Sequence, residues 1–337
     1  MIDPERVRDQ LRSFIAREGG FDSVEIENLK QMAGGSVRES WSFDATLAKN
    51  GKTTRRALVL RRDLPGHKLV NRRRDEFLVL RAAHQEGVPV PEVLWLCEDP
   101  AVLGSDFFVM QRIAGETIAR RLLRDEAYAR TRAVMPEQLA AILAQIHKID
   151  IERHHLDFLP TSSPSPARDE LARCEEIFRE LALEPHPAIE LALRWLAAHM
   201  PKSSRRTLVH GDFRVGNFMF GPEGTRAILD WEFVHVGDPI EDVAWICVRS
   251  WRFGEDDKPV GGLAQREVFF NAYEKASGIA LDREAAHFWE VFGNLRWAVG
   301  TISQARTAID GIVPSVELAS IGRRTAEMEL ELIALIE

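Results

Sequence analysis

The hydrophobic period of this chain changes once, and that change limits what it can fold into. Up to Arg112, apolar residues come in short alternating runs: Val24 to Leu29, Trp41 to Leu47, Arg55 to Arg62, Glu92 to Leu96 and Phe107 to Arg112. This is the period of strands with one face buried. Asn50-Gly51 lies between the second and third runs and suits a two-residue turn whose positions both need positive φ, so the pairing is expected to be antiparallel. After Pro136 the period becomes helical, with Leu139, Ile142, Leu143, Ile146 and His147 on one stripe. Further helices are expected near 167–181, 187–199, 239–250, 264–277, 282–308 and 315–336. The strand-rich part holds one internal helix, from about Asn71 to Glu86, stopped by Gly87 and Pro89. Another opens it at Asp3-Pro4, carries Val7, Leu11, Phe14 and Ile15, and ends at Gly19-Gly20. One short β interruption, between Thr207 and Asp230, breaks the helical part. The expected organisation is α+β: a strand-rich domain over 1–113 and a mostly helical one over 114–337, joined near Ile113-Ala114-Gly115.

With 337 residues the chain is long enough for about two domains. Its net charge of −8 argues against a general nucleic-acid binder. Cys97, Cys174 and Cys247 are too far apart for a zinc module or a disulfide scaffold and fit a reducing compartment. The first twenty residues have no apolar core segment, so no secretory leader is expected there. No apolar run is long enough to span a bilayer. A cytoplasmic protein without membrane partners is expected, and the oligomeric state is left open. Leu159 to Arg168 is a low-complexity stretch that reads as a loop.

The chemistry is concentrated in Leu208-Val209-His210-Gly211-Asp212-Phe213-Arg214-Val215-Gly216-Asn217 and the following Ala227-Ile228-Leu229-Asp230-Trp231-Glu232. An apolar strand end delivers His-Gly-Asp, an Asn follows five residues later, and a hairpin turning at 221–224 returns a strand ending in a second Asp. The spacing is expected to gather Asp212, Asn217 and Asp230 around one cleft. Phosphoryl transfer needs that set. One carboxylate, Asp212, orients the attacking hydroxyl and takes its proton. An amide oxygen (Asn217) and a second carboxylate (Asp230) are the hard ligands that Mg²⁺ requires on nucleotide phosphates. Taken singly these residues would read as a turn and a helix cap; their order and spacing make the catalytic reading the better one.

On these residues the chain resembles the aminoglycoside phosphotransferase/choline kinase-like family, which shares the protein-kinase fold. His210-Gly211-Asp212 with Asn217 stands where kinases carry His-Arg-Asp and its Asn. Asp230-Trp231-Glu232 replaces Asp-Phe-Gly, as in the small-molecule branch, and no Ala-Pro-Glu follows. The likeness continues through Gly237-Asp238-Pro239 and Asp242-Val243-Ala244. Val59-Leu60-Arg61-Arg62 with Pro65-Gly66, and Phe292-Gly293-Asn294-Leu295-Arg296-Trp297, resemble the acyl-CoA dehydrogenase-associated phosphotransferases. The resemblance implies a two-lobed kinase-like fold, ATP as cofactor with GTP as an alternative, Mg²⁺, and a small-molecule hydroxyl as acceptor.

It also assigns the nucleotide half. Gly34, Gly35 and Ser36 take the place of the phosphate-covering loop, where glycine lets backbone N–H groups approach phosphate. Strand alternation puts Val59 and Arg61 on one face and Leu60 and Arg62 on the other. Val59 becomes the adenine roof and Arg61 the phosphate cation, whose fork suits phosphate oxygens. Glu76 is the helix carboxylate that would orient Arg61. Met110, Gln111 and Arg112 are candidates for backbone contacts to the adenine edge.

The acceptor is expected in the helical part. Arg249, Trp289 and Arg296 are its candidates, because an inward-facing arginine wants an anion, either an internal acid or a substrate carboxylate. Glu255-Asp256-Asp257 is the only acidic cluster after the motif and reads as a loop, so a polycationic aminoglycoside is disfavoured against a hydroxy acid or hydroxyacyl-CoA. The competing readings are a nucleotide-binding pseudokinase or scaffold and an aminoglycoside or macrolide phosphotransferase. A His210–Asp212 hydrolase is disfavoured, as no nucleophile elbow is present. His154, His155 and Asp157 lack metal-ligand spacing. His147 and the cysteines read as core residues, and His210 as a brace for its loop.

Overall fold

The computed structural model describes residues 3–32, 38–63, 72–202 and 205–337. The chain forms two compact units. The first comprises Met1–Glu116 with Glu152–Phe158 and Arg226–Phe233; the second comprises Thr117–Ile151, Leu159–Thr225 and Val234–Glu337.

In the first unit, α1 (Pro4–Gly19) starts where the Asp3 side chain accepts the Glu5 N–H at 3.1 Å, with Pro4 at its first position. Five strands follow: β1 (Ser23–Gln31), β2 (Arg38–Lys49), β3 (Lys52–Asp63), β4 (Val93–Cys97) and β5 (Phe107–Gln111). They form one antiparallel sheet in the order β1-β2-β3-β5-β4. Asn50 and Gly51, at φ 52° and 72°, make the β2–β3 hairpin and pair Lys49 with Lys52. Its turn fixes the register, and the register decides which side chains face which way. Leu58 and Leu60 join Trp41, Phe43, Phe107 and Val109 in a core that also holds Leu11 and Phe14 of α1. The Phe14 and Phe107 rings meet edge-on at 4.8 Å. Val59 and Arg61 therefore point to the opposite face. Helix α2 (Arg73–Gln85) buries Glu76, Phe77, Val79, Leu80 and Ala83. A one-turn helix, α3 (Pro100–Leu103), joins β4 to β5.

The second unit is mostly helical: α4 (Ala119–Arg124), α5 (Ala129–Ile146), α6 (Pro166–Leu181), α7 (Pro187–Ala198), α8 (Pro239–Trp245), α9 (Arg266–Ser277), α10 (Arg283–Ile309), α11 (Val316–Ile321) and α12 (Thr325–Ile336). Its core gathers Trp289, Phe292, Leu295 and Val299 of α10, Ile189 and Leu193 of α7, and Met328 and Leu332 of α12. Strand β6 (Thr207–Val209) pairs antiparallel with β9 (His235–Gly237). Between them in sequence lie β7 (Phe218–Gly221) and β8 (Gly224–Ile228). No helix among the described residues is long and apolar enough to cross a membrane.

Three expectations about this unit need correction. Helix α5 begins at Ala129, so Pro136 sits inside it. The lost N–H costs about 3 kcal/mol and is offset by burial of Met135, Pro136 and Leu139. The helix expected over 239–250 stops at Trp245. A 3₁₀ turn follows over Arg249–Arg252, with the Trp251 N–H on the Val248 carbonyl at 3.0 Å and the Arg252 side chain on the Cys247 carbonyl at 2.9 Å. The helix expected over 315–336 is broken at Gly322. There the Thr325 hydroxyl bonds the Gly322 carbonyl at 2.9 Å and pairs with Thr301 at 2.8 Å, a local side-chain competition with the helical ladder.

Candidate active site

The second unit carries the loop that follows β6. Strand β6 ends at Val209, and the next two backbone N–H groups, of His210 and Gly211, donate to the two oxygens of Asp242 at 2.7 and 2.9 Å. Asp242 is fully buried in α8, and His147 Nε2 lies 3.2 Å from it. Burial works against its charge. The His147 contact, the nearby His210 ring and the backbone donors outweigh that and hold the carboxyl below its ordinary range. His147 is bonded on its other nitrogen as well, with Nδ1 2.8 Å from the Tyr273 hydroxyl. The Asp212 N–H donates to His210 Nδ1 at 3.2 Å. His210 thus braces the loop through its ring and its backbone.

This bracing presents Asp212, 6% exposed, with its side chain in a ring of donors. Asn217 Nδ2 donates to Asp212 Oδ2 at 2.6 Å and to the Asp212 carbonyl at 3.0 Å. Both partners are acceptors, so this corner of the amide must be the NH₂ group, and the carbonyl oxygen Oδ1 occupies the other corner. Arg214 Nε donates to Asp212 Oδ1 at 2.9 Å and Oδ2 at 3.2 Å, and Trp245 Nε1 donates to Oδ1 at 2.8 Å. The Arg214 guanidinium also lies 4.3 Å over the Trp251 ring. Sequence gave Arg214 and Asp242 no role, and it placed Trp245 only among the aromatics after the motif, most of which read as helical core.

The first unit carries a chain of paired charges. Arg61 Nη1 is 2.9 Å from Glu76 Oε1, and its Nη2 is 3.2 Å from Asp230 Oδ1. Burial opposes the Arg61 charge, but Glu76 and Asp230 more than restore it, raising its pKa. Arg61 Nε is buried without a hydrogen-bond partner among the described residues. Behind Glu76, Arg73 Nη1 reaches the other oxygen, Oε2, at 2.5 Å, and Arg73 is itself tied to Asp63. Arg62 points the other way and is held by Glu39 at 2.6 Å and by the Leu103 carbonyl. Asp230 stands at φ 64°, a left-handed conformation uncommon for a non-glycine residue and often found at functional turns.

The remaining candidates fall in different places. Gly34, Gly35 and Ser36 lie outside the described residues. Val59 is buried on the Arg61 face, opposite Met110 in the register. The backbone N–H groups of Gln111 and Arg112 are taken by the Glu92 and Ala57 carbonyls at 2.8 and 2.9 Å, and the Arg112 side chain is bonded to Asp44 at 2.5 Å. Those two N–H groups are spent inside the sheet. Trp289 is 1% exposed and packed in the helical core, so it fills that core and lines no open surface. Arg249 is paired with Glu331 and Asp256, each at 3.0 Å, and Arg296 with Glu241 at 2.8 Å while lying 4.8 Å over Trp245. The anion each arginine wants is an internal acid, which removes the argument that their charge selects the acceptor. His154 is bonded to Glu86 at 2.7 Å. Among the described residues no group of three or more His, Cys, Asp or Glu side chains could hold a metal. Burial lifts the Cys174 thiol to about 12 and the Cys247 thiol higher still, so neither is a nucleophile.

Likeness to known proteins shows the family of the chain and its fold. Residues 36–279 match the family described as "Phosphotransferase enzyme family". Acyl-CoA dehydrogenase family member 10 of Mus musculus is 30% identical over 289 residues, covering 81% of this chain and 26% of that protein. The chain thus spans about a quarter of that relative's length. A Ralstonia eutropha protein assigned as an aminoglycoside phosphotransferase superposes with a TM-score of 0.78 at 22% identity, covering 97% of each chain. An aminoglycoside phosphotransferase solved in ternary complex with ADP and hygromycin B superposes with a TM-score of 0.61 at 17% identity, covering 97% of this chain and 98% of that one. The fold is the protein-kinase-like α+β fold.

Proposed function

The chain belongs to the phosphotransferase enzyme family, and from that premise we propose that it is an ATP-dependent kinase moving the γ-phosphoryl group to a hydroxyl of a small molecule, a hydroxy acid or hydroxyacyl-CoA. The observation that carries this reading is the pairing of Asp212 with Asn217. One Asn nitrogen holds the carboxylate at 2.6 Å, and the amide oxygen is left as a hard donor. Asp212 takes the acceptor's proton while the hydroxyl oxygen attacks. Arg61, paired with Glu76, binds phosphate oxygens, and its Nε has no hydrogen-bond partner among the described residues.

Asn217 and Asp230 each suit Mg²⁺, since the Asn217 amide and the Asp230 carboxylate both present a hard oxygen as the ligand atom. When bound, the ion neutralises charge developing on the phosphates. Val59 is read as the adenine roof and, with Gln111 and Arg112 engaged in the sheet, Ile113 to Gly115 as the segment that reads the adenine edge.

Two observations support the acceptor class. The side chains that touch Asp212 are a guanidinium and an indole besides Asn217, surroundings that suit an acyl or anionic compound better than a polycation. The relative cited above is named for acyl-CoA chemistry. The ADP- and hygromycin-bound neighbour favours the second reading, an antibiotic phosphotransferase. Mg²⁺-dependent ADP formation from ATP, screened over hydroxy acids, their CoA esters, aminoglycosides and macrolides, separates the two. Stimulation by the acids or esters supports the proposal. Stimulation by aminoglycosides alone replaces the acceptor class, and nucleotide binding without any transfer indicates a pseudokinase.

A further inference from the structure

We infer that Trp245 is a positioning residue that selects which oxygen of Asp212 receives the proton, an inference that rests on Asp212 being the proton acceptor. An ionised carboxylate has about four lone-pair sites. On Oδ1 two donors arrive at full strength, Trp245 Nε1 at 2.8 Å and Arg214 Nε at 2.9 Å. On Oδ2 only Asn217 does so, at 2.6 Å, because the single Arg214 Nε hydrogen reaches it only as the longer branch of a shared bond at 3.2 Å. Oδ1 is therefore filled and Oδ2 keeps room for one more proton. The acceptor O–H bond breaks with its proton passing to Oδ2. The new O–P bond forms as the bond between the γ-phosphorus and the bridging oxygen of ATP breaks, and that electron pair leaves on ADP.

The indole is held to do this. It is 5% exposed at the C-terminal end of α8. Arg296 lies 4.8 Å over its face and is anchored by Glu241 at 2.8 Å. Trp251 packs beside it at 5.6 Å. A Cβ added at Gly293 of α10 would come within 3.4 Å of the Trp245 ring and 2.8 Å of Val248, so glycine there leaves the ring its place. Glu241, Arg296, Trp245 and Asp212 form a continuous line of contacts, which gives Arg296 a part in the site other than binding the acceptor.

The test is Trp245→Phe, alone and in an Asp212→Asn background, read as Mg²⁺-dependent ADP formation from ATP. A hydrogen bond to a charged group is lost, so kcat should fall about tenfold to a hundredfold while the nucleotide KM stays within about twofold. In the Asp212→Asn background the same change should cost nothing further, whereas a merely structural role would subtract equally from both. An unchanged kcat in Trp245→Phe, or equal losses in both backgrounds, overturns the inference. Near-normal turnover in Asp212→Asn overturns the functional reading instead. A second measurement does not require the Trp245 variant to fold. Of the eight tryptophans, the indole N–H resonance furthest downfield should move upfield in Asp212→Ala, and a spectrum with no such movement contradicts the inference.

Discussion

Asp242 receives the backbone N–H groups of His210 and Gly211 on its two oxygens, at 2.7 and 2.9 Å, so one buried carboxylate fixes the two residues that precede Asp212. Its pKa is depressed in the folded state. The stabilisation it contributes is then complete above the unfolded value and is lost as pH falls through the folded one. Asp242→Asn should destabilise the protein by about 3 kcal/mol near neutrality. It should also flatten the loss of stability below about pH 4, where an ordinary Asp titrates. Urea unfolding at several pH values measures both, and an unchanged acid slope in the variant contradicts the role.

Arg73 supports the Arg61–Glu76 pair, proposed to hold the nucleotide, from behind. It holds Oε2 of Glu76 while Arg61 meets Oε1, and it is fully buried. Arg73→Met strands Asp63, leaves Glu76 with Arg61 as its one remaining cation among the described residues, and should cost about 3–5 kcal/mol. The nucleotide KM should rise several-fold, since Glu76 is no longer fixed against Arg61. Arg73→Lys keeps the charge without the fork and should recover part of the stability but less of the KM. A wild-type nucleotide KM in a folded Arg73→Met protein would separate Arg73 from the site.

Much of this was legible in the sequence. Strand alternation put Val59 with Arg61 and away from Leu60 because side chains on a strand change face at every residue, and Asn50-Gly51 fixed the hairpin that sets the register. The contacts of Asp212 were less legible. Trp245 reaches it from 33 residues away, and no local period encodes a contact made by tertiary packing. The arginines show the limit most clearly. Sequence says that an inward Arg249 or Arg296 needs an anion, and only the fold reveals that Glu331, Asp256 and Glu241 supply it. Helix ends misjudged at Pro136, Trp245 and Gly322 fail for the same reason, since burial and the side chains of Arg252 and Thr325 decided them.

The two proposed metal ligands differ in charge, and their variants should differ accordingly. Asp230→Ala removes a formal negative charge and should weaken Mg²⁺–nucleotide binding and turnover together. Asn217→Ala removes a neutral oxygen and also one donor to Asp212, so its turnover loss should exceed its loss of metal affinity. Titration of Mg²⁺ at fixed nucleotide concentration resolves the two. Unchanged Mg²⁺ dependence in both variants would exclude them as ligands.

Asp212→Asn is the most direct test of the assignment, because it keeps the size of the side chain and removes the proton acceptor. The measurement is Mg²⁺-dependent transfer of the γ-phosphoryl group from ATP in the variant and the parent, beside calorimetric titration with nucleotide. The expected result is turnover lower by about 10² to 10⁴, the usual worth of a positioned base, with nucleotide affinity unchanged. Near-normal turnover in a folded, nucleotide-binding Asp212→Asn protein would contradict the catalytic role of Asp212 and the phosphoryl-transfer mechanism built on it.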